Sequence, residues 1–358
     1  QELSQWELVR AINEYVNTGV RYLGLEFGIH GYKPHKVDEI CNARYGDCKD
    51  KAALAITMLK EVGIEAHFVI LRTSQLGEID YELPMIGMFN HAIYYLPDVG
   101  GQEYWIDGTA TFFDATELPS SDEGVNSLIV KPGGEYEFKR IPYSAAESNG
   151  GVYTTVLTVD ANGNATGYRA SEFRGLYNPV IRRSYENTVK AKEIVDRTLV
   201  GTYPGSRTWN LELSDITDYS TAESLSYELE LLPYGVRRGQ ELLLPSVVFD
   251  ESLSQRFAHL SQREFDLILG AGWNRTNVLK LTLPEGHGEV QLPPDQTIET
   301  EYGRYTRQSV VKDGVVEIKE DVLFLANRVP KEKYAAFREF CRLVDMCQDE
   351  KITVKMQG

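Results

Sequence analysis

Four cysteines in 358 residues are too few for a disulfide framework, and Cys41, Cys48, Cys341 and Cys347 show none of the Cys-x2-Cys spacing of zinc sites. Long apolar runs are missing as well. No stretch approaches the roughly 20 apolar residues that a membrane-spanning helix needs, so no membrane insertion is expected. Basic residues are in deficit, 37 Lys and Arg against 53 Asp and Glu, for a net charge of −16. A field of that sign opposes phosphate backbones and anionic surfaces, which excludes nucleic acid as an expected partner. The first residues, Gln1 to Arg10, lack the basic start and apolar run of a secretory leader, so any targeting segment would already have been removed. No calcium-loop pattern of the Asp-x-Asp-x-Asp-Gly type occurs, and neither a metal nor an organic cofactor is expected.

What is present is the composition of a globular protein, 42% hydrophobic and 25% charged, at a length that suits two or three domains. Apolar residues at helical spacing (Trp6, Val9, Ile12, Val16) predict a first helix, and Ala52, Ala55, Ile56, Leu59 and Val62 predict a second that ends before Gly63. The period then changes to two, in Ile64 to Ile70, Phe89 to Tyr95 and Tyr104 to Asp107, which predicts three strands. Residues 119 to 151 are rich in Pro, Gly, Ser and acidic side chains and read as linker or long loop. The reading is an α+β domain over residues 1–145, then a β-rich, sandwich-like domain over 146–358. Strands are expected there around a hairpin turn at Asp160-Ala-Asn-Gly, with two isolated helices, about Pro179 to Leu199 and Lys331 to Met346, and a closing strand Ile352 to Met356.

The segment Arg44-Tyr-Gly-Asp-Cys-Lys-Asp-Lys-Ala places a thiol at the mouth of the second helix. Asp47 is a favoured N-cap, and Asp50, three residues on, forms a weak relative of the capping box, which makes Cys48 the first helical residue. Backbone N–H groups without helical partners and the positive end of the helix dipole favour negative charge on the sulfur there and supply one oxyanion donor. Lys49 and Lys51 are expected to add positive charge. The matching base is His91, on a strand with another strand close behind it. A three-residue hairpin loop, Asp98-Val-Gly, would set Tyr95 opposite Glu103, Ile93 opposite Trp105 and His91 opposite Asp107, close enough for the carboxylate to hold the imidazole. Nucleophile, base and orienting carboxylate are then Cys48, His91 and Asp107.

These residues resemble the bacterial transglutaminase-like proteins, within the superfamily of transglutaminases, papain-like peptidases and peptide N-glycanases. Val20-Arg-Tyr-Leu-Gly-Leu-Glu, Gly31-Tyr-Lys-Pro, the Cys48 segment, Phe89-Asn-His-Ala and Trp105-Ile-Asp-Gly-Thr are similar to that group's motifs in the same order, over roughly residues 5 to 120. The resemblance implies a papain/transglutaminase-like core with Cys48 as nucleophile, His91 as base and Asp107 as triad acid, followed by a β-rich accessory region. In that group a further β-rich domain usually precedes the core; it lies outside this sequence. The implied chemistry is attack on an amide carbonyl of a protein or peptide substrate, through a thioester, with water as the expected acceptor. Envelope or periplasmic residence is also implied.

Lys49 stands where animal transglutaminases have an aromatic residue, so cross-linking is the alternative rather than the expectation. A peptide- or glycan-binding scaffold without activity is the other. The second oxyanion donor is open between Tyr22 and Trp6. His30, His35 and Cys41 match no zinc spacing with Cys48; Cys41, Cys341 and Cys347 read as small core residues.

Overall fold

In the computed structural model, which describes residues 3–79, 85–249 and 252–356, the first helix, α1 (Gln5–Gly19), starts at a reciprocal cap. Ser4 Oγ accepts from the Glu7 N–H, and the Glu7 carboxylate accepts from the Ser4 N–H. Its buried stripe is Val9, Ile12 and Val16, the spacing read in the sequence. A short helix, α2 (Val37–Ala43), leads to α3 (Cys48–Glu61), which buries Ala52, Leu54, Ala55 and Leu59. Gly63 follows at φ 79°, where a side chain would be strained. Two short strands, β1 (Arg21–Tyr22) and β2 (Tyr45–Gly46), pair in parallel, which sets Tyr22 opposite Gly46 at the approach to α3.

Five antiparallel strands form the sheet of this unit, which comprises residues 1–143: β3 (His67–Leu71), β4 (His91–Val99), β5 (Gln102–Ile106), β6 (Asn126–Val130) and β7 (Tyr136–Arg140), in the order β5-β4-β3-β6-β7. Alternation assigns its faces. Tyr94, Leu96 and Ile106 join the apolar stripes of α1 and α3, whereas Val69, Leu71, Ile93, Tyr95, Trp105 and Ile129 form a second core under Leu118, Val125 and Ile141. Each fully buried Leu, Ile or Val contributes roughly 1.5–3 kcal/mol relative to an exposed one.

Residues 119 to 151 therefore do not form a linker. They complete the sheet with β6 and β7, and Val125 and Ile141 cover its second core; Gly124, Gly133 and Gly134 are turn residues at positive φ, and Gly150 and Gly151 open the first strand of the next unit.

The second unit, residues 144–358, is β-rich. Its large sheet has eight strands in the order Arg207–Leu213, Ser224–Leu231, Ala165–Arg174, Gly150–Val159, Trp273–Thr282, Val315–Phe324, Gly303–Lys312 and Gln296–Thr300. A four-stranded sheet contains Glu241–Pro245 and the closing strand Lys351–Met356. The helix expected over Pro179 to Leu199 is two helices, Asn178–Ser184 and Thr188–Thr202, because Asn187 is extended and caps the second by accepting from the Lys190 N–H at 3.0 Å.

Candidate active site

The start of α3 is more tightly built than its sequence suggests. Asp47 Oδ1 accepts from the N–H groups of Lys49 (3.1 Å) and Asp50 (3.3 Å), and Asp50 Oδ2 accepts from the Asp47 N–H (3.2 Å), a complete capping box. Cys48 is the first helical residue and 8% exposed. With the two following N–H groups taken by Asp47, its own N–H is the helix-terminal donor left for a ligand. Asp50 also accepts from the His35 backbone N–H (2.8 Å) and lies 3.1 Å from His35 Nδ1, which ties the segment before α2 to the helix mouth. His30 stacks on His35 at 3.8 Å, so these two imidazoles shape a loop. Cys41, expected in the core, is exposed.

The lysines do not act as the sequence suggested. Lys49 is buried with its ammonium on the Asp47 carboxylate, so that charge is already neutralised. Lys51 is buried and donates to the Val20 carbonyl at 3.0 Å; burial pushes its pKa down to about 8, against the pull of Asp107.

His91 begins β4. Its Nε2 lies 3.1 Å from Asp107 Oδ2, and the Cys48 side chain is near enough to favour its protonated form. Because Nε2 faces carboxylates, Nδ1 is the nitrogen available to the sulfur. The structure thus brings Cys48, His91 and Asp107 together, but by another register. Gly100 and Gly101, both at positive φ, make a shorter turn, and Tyr95 faces Trp105 while Tyr94 faces Ile106. Extending that pairing sets Asp107, just past β5, opposite Ile93 and diagonal to His91. The shift from the expected register is two residues, an even number, so both side chains keep the same face and remain within diagonal reach. Asp107 Oδ1 is held by the Thr109 N–H (2.7 Å) and Oγ1 (2.8 Å), a local turn legible in Asp107-Gly-Thr.

Burial opposes the imidazolium, but the hydrogen bond with Asp107, the nearby Cys48 side chain and the charges of Asp107 and Asp122 outweigh it, and the His91 pKa is pushed up to about 11. Burial would raise Asp107; the His91 and Thr109 contacts hold it below the usual carboxylate range. A His91 pKa raised from 6.5 means that the stability its proton contributes is complete below pH 6.5 and is lost as pH climbs through about 11. Thermal melts of the native chain and His91→Gln should therefore differ most at and just below pH 6.5 and converge in alkali. A gap independent of pH would contradict this assignment.

Asp122 is the residue that sequence reasoning missed. It sits in the turn read as linker, and nothing local distinguishes it from a surface acid, yet its Oδ2 is 3.7 Å from His91 Nε2. Among the described residues, His91, Asp107 and Asp122 are the one group whose ligand-type atoms come within 4.8 Å of one another. Of the two carboxylates, Asp107 alone is within hydrogen-bond distance of Nε2.

Of the two candidate oxyanion donors, Tyr22 lies within the field of the Cys48 sulfur: partial burial and the charges of Cys48 and Asp47 raise its pKa to about 12, so the phenol keeps its proton. Trp6 is committed elsewhere, its ring 4.5 Å from that of Tyr104 with Arg10 over it. An open cleft of about 420 Å³ reaches Cys48 and His91, lined also by Tyr32, Phe68, Ile70 and Ile86.

Comparison with known proteins agrees with this architecture. Residues 1–107 match the Transglutaminase-like superfamily, and residues 240–354 match a domain of unknown function for which a structure has been solved (DUF3858). A crystal structure of a "putative protease" from Parabacteroides distasonis ATCC 8503 shares the fold at TM-score 0.58 and 11% identity, over 99% of this chain. The present chain spans 53% of the length of that one. No curated protein matches.

Proposed function

The chain carries a transglutaminase-like core followed by a β-rich accessory region, and from that premise we propose that it is a cysteine hydrolase acting on amide bonds of proteins or peptides. The observation that carries the reading is the imidazole of His91, held by the Asp107 carboxylate and lining the same open cleft as Cys48. Sulfur attacks the amide carbonyl, the carbonyl oxygen takes the Cys48 N–H and the Tyr22 phenol, and the imidazolium gives its proton to the departing amine. The resulting thioester is attacked by water, whose proton returns to His91. Asp107 fixes the ring and stabilises its charge throughout.

Iodoacetamide at about pH 6 tests the nucleophile, with exposed Cys41 as an internal standard. Cys48 is expected to be alkylated at least about tenfold faster than Cys41, read by peptide mass spectrometry. Equal rates would favour a scaffold that binds without reacting. Incubation with a glutamine-bearing protein and a primary amine then separates the acceptors: peptide or amide hydrolysis supports water, and amine incorporation would replace this reading with cross-linking.

A further inference from the structure

The carboxylate of Asp122 has no counterpart in the chemistry just described. It is 1% exposed, in a turn closed by its own N–H on the Pro119 carbonyl at 2.9 Å. Oδ1 accepts from Ser121 Oγ at 2.9 Å, and Oδ2 has no hydrogen-bond partner among the described residues. A buried carboxylate is normally saturated with donors or paired. This one is instead turned toward the imidazole, 3.7 Å from Nε2, too far for a hydrogen bond and close enough for charge to act in a dry site.

Asp107 already does the steering. Both its oxygens are occupied, one by Thr109 and one by Nε2, so the ring has a full set of positioning bonds without Asp122. What Asp122 adds is a second negative charge on the same nitrogen. We infer that Asp122 is a positioning residue that acts through His91, a second counter-charge that locks the imidazole in its protonated form and makes that lock depend on pH. The inference rests on His91 serving as the proton donor and base of the proposed function.

The groups turned to this spot are His91 at the start of β4, Asp107 after β5 and Cys48 at the start of α3, with Lys51 and Tyr22 within the field of Asp107. Burial and the charge of Asp107 raise Asp122, His91 and Ser121 pull it back, and the balance leaves it titrating at about 7. Below that pH a neutral Asp122 leaves one carboxylate on the ring; above it there are two. The doubly countered imidazolium is a durable acid toward the leaving amine and a reluctant base toward water, so ionisation of Asp122 would slow release of the thioester relative to its formation.

The test reads the ring itself. In the full-length chain with ¹⁵N-labelled histidine, the His91 nitrogens should report a step near neutrality as Asp122 ionises, then loss of the ring proton in alkali. Asp122→Asn should erase the first step and lower the second by about one pH unit, and Asp122→Glu should restore both in part. Ser121→Ala, which removes a bond to the ionised carboxylate, should move the first step to higher pH, and it carries the test if Asp122→Asn does not fold. A His91 titration that is the same in the native chain, Asp122→Asn and Ser121→Ala would overturn the inference. The alkylation of Cys48 in the native chain decides separately whether the underlying reading stands.

Discussion

Cys48→Ala is expected to reduce amide turnover by about 10⁵-fold or more, to the background of the uncatalysed reaction, while shifting stability by less than about 1 kcal/mol. The asymmetry follows from position. In the proposed reaction the sulfur alone forms the bond to substrate, so no other side chain would replace it. Its removal leaves α3 intact, because the cap is made by Asp47 and Asp50 and the helix is held by Ala52, Leu54, Ala55 and Leu59. Turnover by matched preparations, with a thermal melt of each, checks both halves. Native turnover in Cys48→Ala would sink the assignment of the nucleophile; a collapsed melt would instead mean that the sulfur is structural.

The second large effect is far from this chemistry in the chain. Arg182 and Glu223 are both 0% exposed, with Arg182 Nε donating to Glu223 Oε1 at 2.6 Å. The guanidinium also donates to the Thr221 carbonyl at 3.1 Å and lies 4.8 Å over the Tyr219 ring, while Glu223 Oε2 accepts from Ser214 Oγ at 2.6 Å. Removing one partner strands the other charge in a dry interior. Arg182→Met or Glu223→Leu alone should each cost about 3–5 kcal/mol, and the double replacement should recover a large part of that, since two apolar side chains leave no orphan charge. Urea transitions of the three variants, followed by a probe of the β-rich unit, measure the coupling. Single and double variants with additive losses would show that the pair is not energetically linked.

Much of the transglutaminase-like core was legible because its signals are local. Capping at Asp47 depends on three neighbouring residues, and it set Cys48 at the helix mouth. Period-two alternation put His91 and Asp107 on one sheet face, and the motif order carried the family resemblance. Residues 119 to 151, read as linker or long loop, instead contribute two strands to the sheet, since Gly and Pro mark where a chain bends but not whether the pieces between bends find a sheet to join.

The first and third helices, the alternation of the strands through His91 and Asp107, and the place of Cys48 at a helix mouth were legible in the chain, because each follows from contacts within a few residues or from a periodicity. Tertiary structure alone decided the strand register, the neutralisation of Lys49, the direction of Lys51 and the arrival of Asp122 beside His91. Those outcomes depend on which distant segments pack together. The carboxylates of Asp107 and Asp122, brought in from distant segments and acting against burial, then set how strongly His91 holds its proton.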